Sequence, residues 1–354
     1  MKIVIDARMY QESGVGRYIR NLTEQLKKLD RKNNYLFLKS NIKWYGISEQ
    51  IKLPKILAKL KPDLVHFPHF NVPIFYSGKF VVTIHDLIHQ HFAMNRATIL
   101  NPITYKIKQL GYKKIFKHAI TKSEKILVPS IFVKKQLVSE WKVSDEKIVV
   151  TPEAVDDKIF TIVNNLSSGK LASVMNKFDI KKPYLFYVGN AHPHKNVEGL
   201  IKSFLNLRKK YQYFNLVLSG HDHYFWQKIR QEYQHKNIIY TGFVSDEELV
   251  ALYKNAKVFV LPSFEEGFGI PLLEAMACSC PVVSSNAGSL PEVGGDGVVY
   301  FDPASLDDMV DKISQVLNSE RLRKDLIIKG EKRAKLFSWK RLAKQTLEVY
   351  SKCV

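Results

Sequence analysis

At 354 residues the chain has room for a little over two domains of roughly 150 residues each. Hydrophobic side chains make up 45% and charged ones 25%, which excludes a disordered chain and a collagen-like fibre. The formal net charge of +20 is lopsided: residues 1–150 hold 27 basic and 11 acidic side chains and residues 151–354 hold 27 and 23, so the first half is suited to something anionic and extended.

Only three cysteines occur, Cys278, Cys280 and Cys353. So sparse and odd a set excludes a disulfide framework and fits a reducing, cytoplasmic compartment. Met1–Asp6 reads as a strand ending in an acid rather than a signal peptide, and no uncharged apolar run reaches the ~18 residues of a membrane span. A membrane is therefore expected to be touched only from the side.

The first strand, Lys2–Ile5, leads to Ser13-Gly-Val-Gly16 and a helix with Ile19, Leu22 and Leu26 on one face. Glycines before a helix let backbone approach a ligand closely, which singles out Gly14 and Gly16. A second strand, Tyr35–Leu38, precedes the pair Trp44-Tyr45, suited to a membrane interface, and a basic stripe of Lys52, Lys55 and Lys59. Strands Leu64–Phe67 and Phe80–Ile84 follow, and His85-Asp86 stands at the carboxyl end of the latter, the side of a parallel sheet on which ligands bind. From Asn101 to Lys125, Ile103, Ile107, Leu110 and Ile115 keep roughly helical spacing beside a basic stripe of Lys106, Lys113 and Lys117. Each basic residue near an anionic lipid surface adds ~1 kcal/mol. Strands Ile126–Val128 and Ile148–Val150 complete the first half, and the polar stretch Thr161–Lys182, with Asn164, Asn165, Ser167, Ser168 and Gly169, reads as a linker.

The second half repeats the rhythm with Tyr184–Val188, Asn215–Leu218, Ile238–Tyr240, Val258–Leu261, Pro281–Val283 and Val298–Phe301. These runs are continuous rather than alternating, as in strands covered by helices on both faces. Strands alternating with helices, twice over, predict an α/β chain of two tandem Rossmann-like domains with an interdomain cleft. Lys195 lies on the loop Gly189-Asn-Ala-His-Pro-His-Lys-Asn196 after the first strand of this half, a point charge able to reach a diphosphate. After Val258–Leu261 comes a loop with Gly267 and Gly269, then Pro271 at the expected first helical position and Leu272, Leu273 and Met276 facing the sheet. The helix start offers backbone amides to an anion, with Glu266 and Glu274 beside it. Such a site suits a nucleotide sugar, amides on the diphosphate and carboxylates on sugar hydroxyls. By spacing alone, a solvated Glu266 and a Glu274 that complements the helix dipole fit as well.

Cys278 and Cys280 read as packing residues, and Trp339–Tyr350 as an amphipathic helix capping a domain. The histidine groups His66 and His69, His85, His89 and His91, and His221 and His223 lack the complement of a closed zinc site.

The stretch Pro262-Ser-Phe-Glu-Glu-Gly-Phe-Gly-Ile-Pro-Leu-Leu-Glu-Ala-Met-Ala277, with Glu266 and Glu274 eight apart, resembles the signature of family 4 retaining glycosyltransferases. So do Gly14-Val-Gly16-Arg-Tyr, Ile84-His-Asp86, Val128-Pro-Ser130, Thr151-Pro-Glu-Ala-Val-Asp156 and Tyr240-Thr-Gly-Phe-Val244, in order over nearly the whole chain. The resemblance implies the glycosyltransferase B architecture: an acceptor-binding domain over 1–165, a nucleotide-sugar domain over 166–335, and a last helix, 336–354, crossing back to the first. It implies catalytic roles for Glu266, His85 and Lys195, with Glu266 on the transferred hexose, His85 hydrogen-bonded to the sugar and Lys195 on the diphosphate. Donor binding would further involve Gly14, Gly16, Asn190, the loop of Gly267, Phe268, Gly269 and Ile270, and Glu274 on the ribose, with backbone at Phe243 and Val244 on the base. The family usually carries an arginine five residues before the lysine, where this chain has Asn190; His194 or Arg17 could supply the missing charge.

No Asp-x-Asp motif occurs, so transfer is expected to need no metal or other cofactor, the leaving diphosphate itself taking the acceptor proton while positive groups stabilise it. The Gly-Val-Gly-Arg-Tyr opening resembles mannosyltransferases of surface-polysaccharide assembly, which makes GDP-mannose the expected donor. The basic first half then implies a peripheral enzyme at the cytoplasmic face of the plasma membrane, extending a lipid-linked or polysaccharide acceptor, with Lys106, Lys113 and Lys117 toward the lipid. Competing readings are a nucleotide-sugar epimerase or phosphorylase of the same shape, an inactive sugar-binding relative, and a nucleic-acid-binding protein. The last lacks aromatic interleaving and any known motif.

Overall fold

The computed structural model describes residues 1–12, 14–92 and 102–353, and the side chains of residues 102–108 fall outside that description. Met1–Glu153 and Ser338–Val354 form one unit and Ala154–Phe337 another. In chain order the first unit contains β1 (Lys2–Asp6), α1 (Gly14–Leu29), β2 (Asn34–Leu38), α2 (Ile47–Leu60), β3 (Leu64–Phe67), β4 (Phe80–Thr83), α3 (Ile88–His91), α4 (Pro102–Lys122), β5 (Lys125–Val128), α5 (Ile131–Trp141) and β6 (Ile148–Val150). The second contains α6 (Asp157–Asn165), α7 (Ser168–Lys177), β7 (Tyr184–Val188), α8 (Val197–Leu207), β8 (Asn215–Ser219), α9 (Tyr224–Glu232), β9 (Ile238–Gly242), α10 (Asp246–Asn255), β10 (Val258–Leu261), α11 (Ile270–Ala277), β11 (Val282–Ser285), α12 (Leu290–Gly294), β12 (Val298–Phe301), α13 (Leu306–Asn318) and α14 (Glu320–Ala334). The chain ends with α15 (Trp339–Lys352), which belongs to the first unit.

Every apolar run expected as a strand forms one, to within two residues at either end. Each sheet is six-stranded and wholly parallel, in the orders β2-β1-β3-β4-β5-β6 and β12-β11-β10-β7-β8-β9. Winding thus reverses between β1 and β3 in the first sheet and between β7 and β10 in the second. In open α/β sheets the crevice at such a reversal, beyond the strand carboxyl ends, is where ligands bind. Burial explains the continuous apolar runs: Leu64, Val65, Phe80, Val81 and Val82 are buried on both faces in one sheet, as are Val258, Phe259 and Val260 in the other.

α1 buries Tyr18, Ile19, Leu22 and Leu26 along one stripe, and α15 packs against it with Trp339, Leu342, Ala343, Thr346, Val349 and Tyr350 buried. Ser338 caps α15, its hydroxyl accepting from the Arg341 amide.

Three expectations are corrected here. The boundary lies at Glu153/Ala154, not at 165, because α6 contributes Ile159 to the second core. The supposed linker 161–182 is largely helical: Ser167 is the N-cap of α7, accepting from the Lys170 amide, and Val174 and Met175 are buried. On α4 the buried stripe is Phe116, Ala119 and Ile120, while Leu110 is 69% exposed.

Candidate active site

The reversal point of the second sheet is built from the loops after β7 and β10. Beyond β7, Asn190 folds its own loop: its Oδ1 accepts from the His192 amide at 3.2 Å and its carbonyl accepts from the Tyr187 hydroxyl at 2.7 Å. A short 3-10 turn over Pro193–Lys195 follows, and Asn196 then takes a left-handed conformation to start α8. The Phe264 amide, beyond β10, donates to the His194 carbonyl at 2.7 Å and ties the two loops together.

Within this frame Lys195 Nζ donates to both carboxylate oxygens of Glu266, at 2.7 and 2.8 Å. Ser263 Oγ donates to Glu266 Oε1 at 2.6 Å, and the Glu266 carbonyl accepts from the amide and hydroxyl of Ser289 at 3.2 and 2.9 Å. Gly288 stands at φ +64°, where an added Cβ would come within 2.8 Å of the Glu266 nitrogen and 2.9 Å of its oxygen. Glu266 is therefore a buried, held carboxylate with a counter-charge and not a solvated one. The pair also means that Lys195 reaches a diphosphate only by sharing or leaving Glu266.

Glu274 is held by a different partner. It is buried on α11, and the Tyr253 hydroxyl, on α10, lies 3.3 Å from its Oε2 and 3.2 Å from the Pro271 carbonyl. Burial, reinforced by the Glu274 charge, pushes the Tyr253 hydroxyl well above its ordinary pKa, so it remains a proton donor. α11 opens at Ile270, which is half-buried, on a left-handed Gly269 with no side-chain cap. A Cβ at Gly269 would fall 2.5 Å from Leu290 Cδ2. Gly267 is buried in the same loop, and Phe268 turns inward with its ring 5.6 Å from that of Phe337, a packing role for its side chain. Beyond β9, Phe243 is exposed with its ring 5.2 Å from His221, while Val244 rests on the core.

In the first unit His85 is engaged at both ring nitrogens: Nδ1 lies 2.8 Å from Glu153 Oε1 and Nε2 lies 2.9 Å from the Pro68 carbonyl. Both partners are acceptors, so both nitrogens donate. Burial disfavours the resulting imidazolium, yet the Glu153 hydrogen bond and charge, with the Pro68 carbonyl and Asp86, carry its pKa above the usual 6.5. His85 must exchange one of these partners before it can hydrogen-bond a sugar. The close approach that Gly16 permits is to its own chain: a Cβ there would meet the Met9 and Tyr10 carbonyls at 2.7 and 2.8 Å. At Gly14, where α1 begins, a Cβ would meet nothing; Ser13 lies outside the described residues. Lys113 and Lys117 are exposed on α4, and Lys106 lies in the part of α4 whose side chains are not described.

The model of glycosyl transferases group 1 matches residues 172–333 and that of glycosyltransferase family 4 matches residues 13–158. An O-antigen chain mannosyltransferase B of Escherichia coli is 32% identical over 303 residues, covering 83% of this chain and 75% of that protein. The chain belongs to the family 4 glycosyltransferases. A second Escherichia coli relative of this glycosyltransferase, the serotype-specific mannosyltransferase WbdA, is 26% identical over 84% of the chain, which spans only 37% of that longer protein. Among solved structures, WaaG, a glycosyltransferase involved in lipopolysaccharide biosynthesis, superposes with a TM-score of 0.76 at 13% identity, covering 99% of both chains. The glycosyltransferase thus has the two Rossmann-like α/β domains of the glycosyltransferase B fold.

Sequence reading missed the residues that fix Glu266 in place. Ser263 lay within the quoted signature, three residues before the glutamate, where a short hydroxyl can turn back; Gly288 and Ser289 are distant in sequence and gave no signal of their own. Cys278 and Cys280 are buried with their thiols pushed upward by burial, as packing residues are. Among the described residues no group of three or more His, Cys, Asp or Glu side chains is arranged to hold a metal ion, and no helix is long and apolar enough to cross a membrane.

Proposed function

We propose that this glycosyltransferase moves mannose from GDP-mannose, with retention of anomeric configuration and without a metal ion, to a lipid-linked or polysaccharide acceptor. The observation that carries the reading is the Lys195–Glu266 pair held at the reversal of the second sheet, where a diphosphate and its sugar would lie. The name of the Escherichia coli relative, an O-antigen chain mannosyltransferase, supports the choice of sugar.

In this reaction the bond between the anomeric carbon and the diphosphate oxygen breaks, and the acceptor oxygen bonds to the same carbon on the same face. The acceptor proton passes to a leaving phosphate oxygen. Lys195 shifts from Glu266 toward the negative charge growing on the diphosphate, and Glu266, freed on one side, accepts from a sugar hydroxyl. Glu274 would serve the ribose only if Tyr253 releases it, and amides at the start of α11 would face the diphosphate.

The exposed Ile47 and Leu110, with Lys52, Lys55 and Lys59 on α2 and Lys113 and Lys117 on α4, support attachment of the first unit to an anionic membrane surface. Tyr45, just before α2, and Tyr112 of α4 both contact Phe70, which brings these two regions together.

Thermal-shift screening with nucleoside diphosphates, followed by NMR of the product anomer, tests the donor and the stereochemistry. GDP should stabilise the fold more than UDP, GDP should appear only when acceptor is present, and EDTA should leave turnover unchanged. Inversion, an absolute requirement for magnesium, or conversion of the donor to an epimer without acceptor would each overturn the corresponding part.

A further inference from the structure

Three carboxyl ends of the first sheet meet at one imidazole: His85 follows β4, Glu153 follows β6 and Pro68 follows β3. Nε2 lies 2.9 Å from the Pro68 carbonyl, which can only accept, so Nε2 carries a proton. Nδ1 lies 2.8 Å from Glu153 Oε1, on a carboxylate whose side chain is 8% exposed. A bare Nδ1 would set a lone pair against that buried charge. Ring and carboxylate therefore hold a proton that neither gives up without stranding the other.

The groups around the ring favour the same state. Tyr18 of α1 stands nearly perpendicular to it, with 4.9 Å between centroids, and the Tyr18 hydroxyl lies 3.1 Å from Thr83 Oγ1, so Tyr18 offers His85 a ring and not a proton. His66 of β3 and His69 of the loop after β3 stay neutral, each pushed down to about 3 by burial and then by His85. Burial opposes charge on His85, but Glu153, the Pro68 carbonyl and Asp86, next along the chain, outweigh it.

A ring with two N–H groups and no lone pair can give a hydrogen bond and cannot take a proton. We propose that Glu153 is a positioning residue for sugar transfer: it holds His85 as an imidazolium, so that the ring meets the transferred sugar as a positively charged hydrogen-bond donor and never as a base. A sugar hydroxyl would accept from Nε2 in place of the Pro68 carbonyl, because parting from a neutral carbonyl costs less than separating two opposite charges. No proton moves in that exchange, and the acceptor proton still passes to the leaving diphosphate. The charge matters as well as the direction. A nucleotide sugar carries two negative charges one sugar ring from the hydroxyls His85 would bind, and this chain has Asn190 where the family usually carries an arginine. The role in transfer rests on the reading above; the proton shared by Glu153 and His85 does not.

The test follows the full chain by nitrogen-15 NMR of its labelled histidines, with His85 assigned by the signals lost in His85→Gln. In the parent both His85 nitrogens should stay protonated as pH rises past the ordinary value of 6.5. Glu153→Gln should give up the second proton at lower pH, its affinity for that proton falling roughly tenfold or more with the adjacent charge gone. Glu153→Asp, which keeps the charge on a shorter stem, should return the transition toward the parent's. Calorimetry then measures GDP-mannose binding over the same range. Parent affinity should fall by at least about threefold as His85 loses its proton, the attraction of two unit charges a sugar ring apart even in water. That fall should move to lower pH in Glu153→Gln and vanish in His85→Gln. A parent His85 that titrates at or below 6.5, a Glu153→Gln that titrates as the parent does, or an affinity that rises as His85 loses its proton would each overturn the proposal. Should Glu153→Gln unfold, Glu153→Asp and the parent titrations still decide. If GDP-mannose binds at no pH while the NMR result holds, the transfer reading falls, and the role in transfer with it, leaving only the shared proton.

Discussion

Lys195→Met keeps the length and apolar stem of the side chain and removes its charge. The Glu266 carboxylate, whose side chain is 9% exposed, is left with the Ser263 hydroxyl as its side-chain donor. Breaking a fully buried ion pair costs about 3–5 kcal/mol. Lys195 is 16% exposed, and the water this admits brings the expectation to about 2 kcal/mol. In a unit of this size that lowers the unfolding midpoint by roughly 4–8 °C. Adding Glu266→Gln should restore most of the loss, because an amide needs no counter-charge in the same pocket. Turnover should behave differently: both variants should fall by at least about 100-fold if the ammonium stabilises the leaving diphosphate. Calorimetry on the parent, both singles and the double gives the coupling, and release of nucleoside diphosphate gives the activity. A coupling below about 0.5 kcal/mol would mean that the pair is a solvated contact. Unchanged turnover in Lys195→Met would remove the lysine from the chemistry.

Gly288→Ala should destabilise the second unit by about 2 kcal/mol or more and lower turnover, since its Cβ collides with the backbone of Glu266; Gly14→Ala, with open space at its Cβ, should leave the midpoint unchanged or raise it slightly. The raised pKa of His85 makes its pairing with Glu153 a contribution that is complete below the unfolded value of 6.5 and fades as pH rises through the folded value. A stability profile in urea should show that decline, and Glu153→Gln should flatten it. His66, buried between Tyr350 and Thr83, has its pKa pushed down to about 3 by burial and then by His85. Unfolding lets it take a proton between pH 6.5 and 3, so stability should fall with acid across that window, and less steeply in His66→Gln.

The strands were legible because each is a continuous apolar run, and burial on both faces demands such runs. Lys195 and Glu266 were legible as neighbours because both follow central strands. The helices α6 and α7 were not: Asn164, Asn165 and Ser167 look like loop residues, yet Ser167 is the N-cap of α7, a place where a short polar side chain satisfies a helix amide. Leu110 misled because spacing alone cannot say which of two stripes on α4 meets the sheet, and the aromatic stripe of Tyr112 and Phe116 reaches Phe70. Gly16 was singled out for close approach, and the approach the structure shows is to the Met9 and Tyr10 carbonyls. The cluster of Pro68, His85 and Glu153 gave no sequence signal as a cluster, since its members come from three separate segments and meet only through the winding of the sheet.

The split of the first unit, with α15 laid on α1 and the Tyr350 hydroxyl 2.6 Å from His66, bears on the order in which the molecule is completed. A ribosome that has released residue 337 has finished every segment of the later lobe, but the earlier lobe still lacks its closing helix, with Tyr18 deprived of the Trp339 ring packed on it. The portion synthesised first must therefore wait longest to become whole, and an early stop anywhere after Phe337 would spare the later lobe while leaving the earlier one a sticky target for chaperones and proteases.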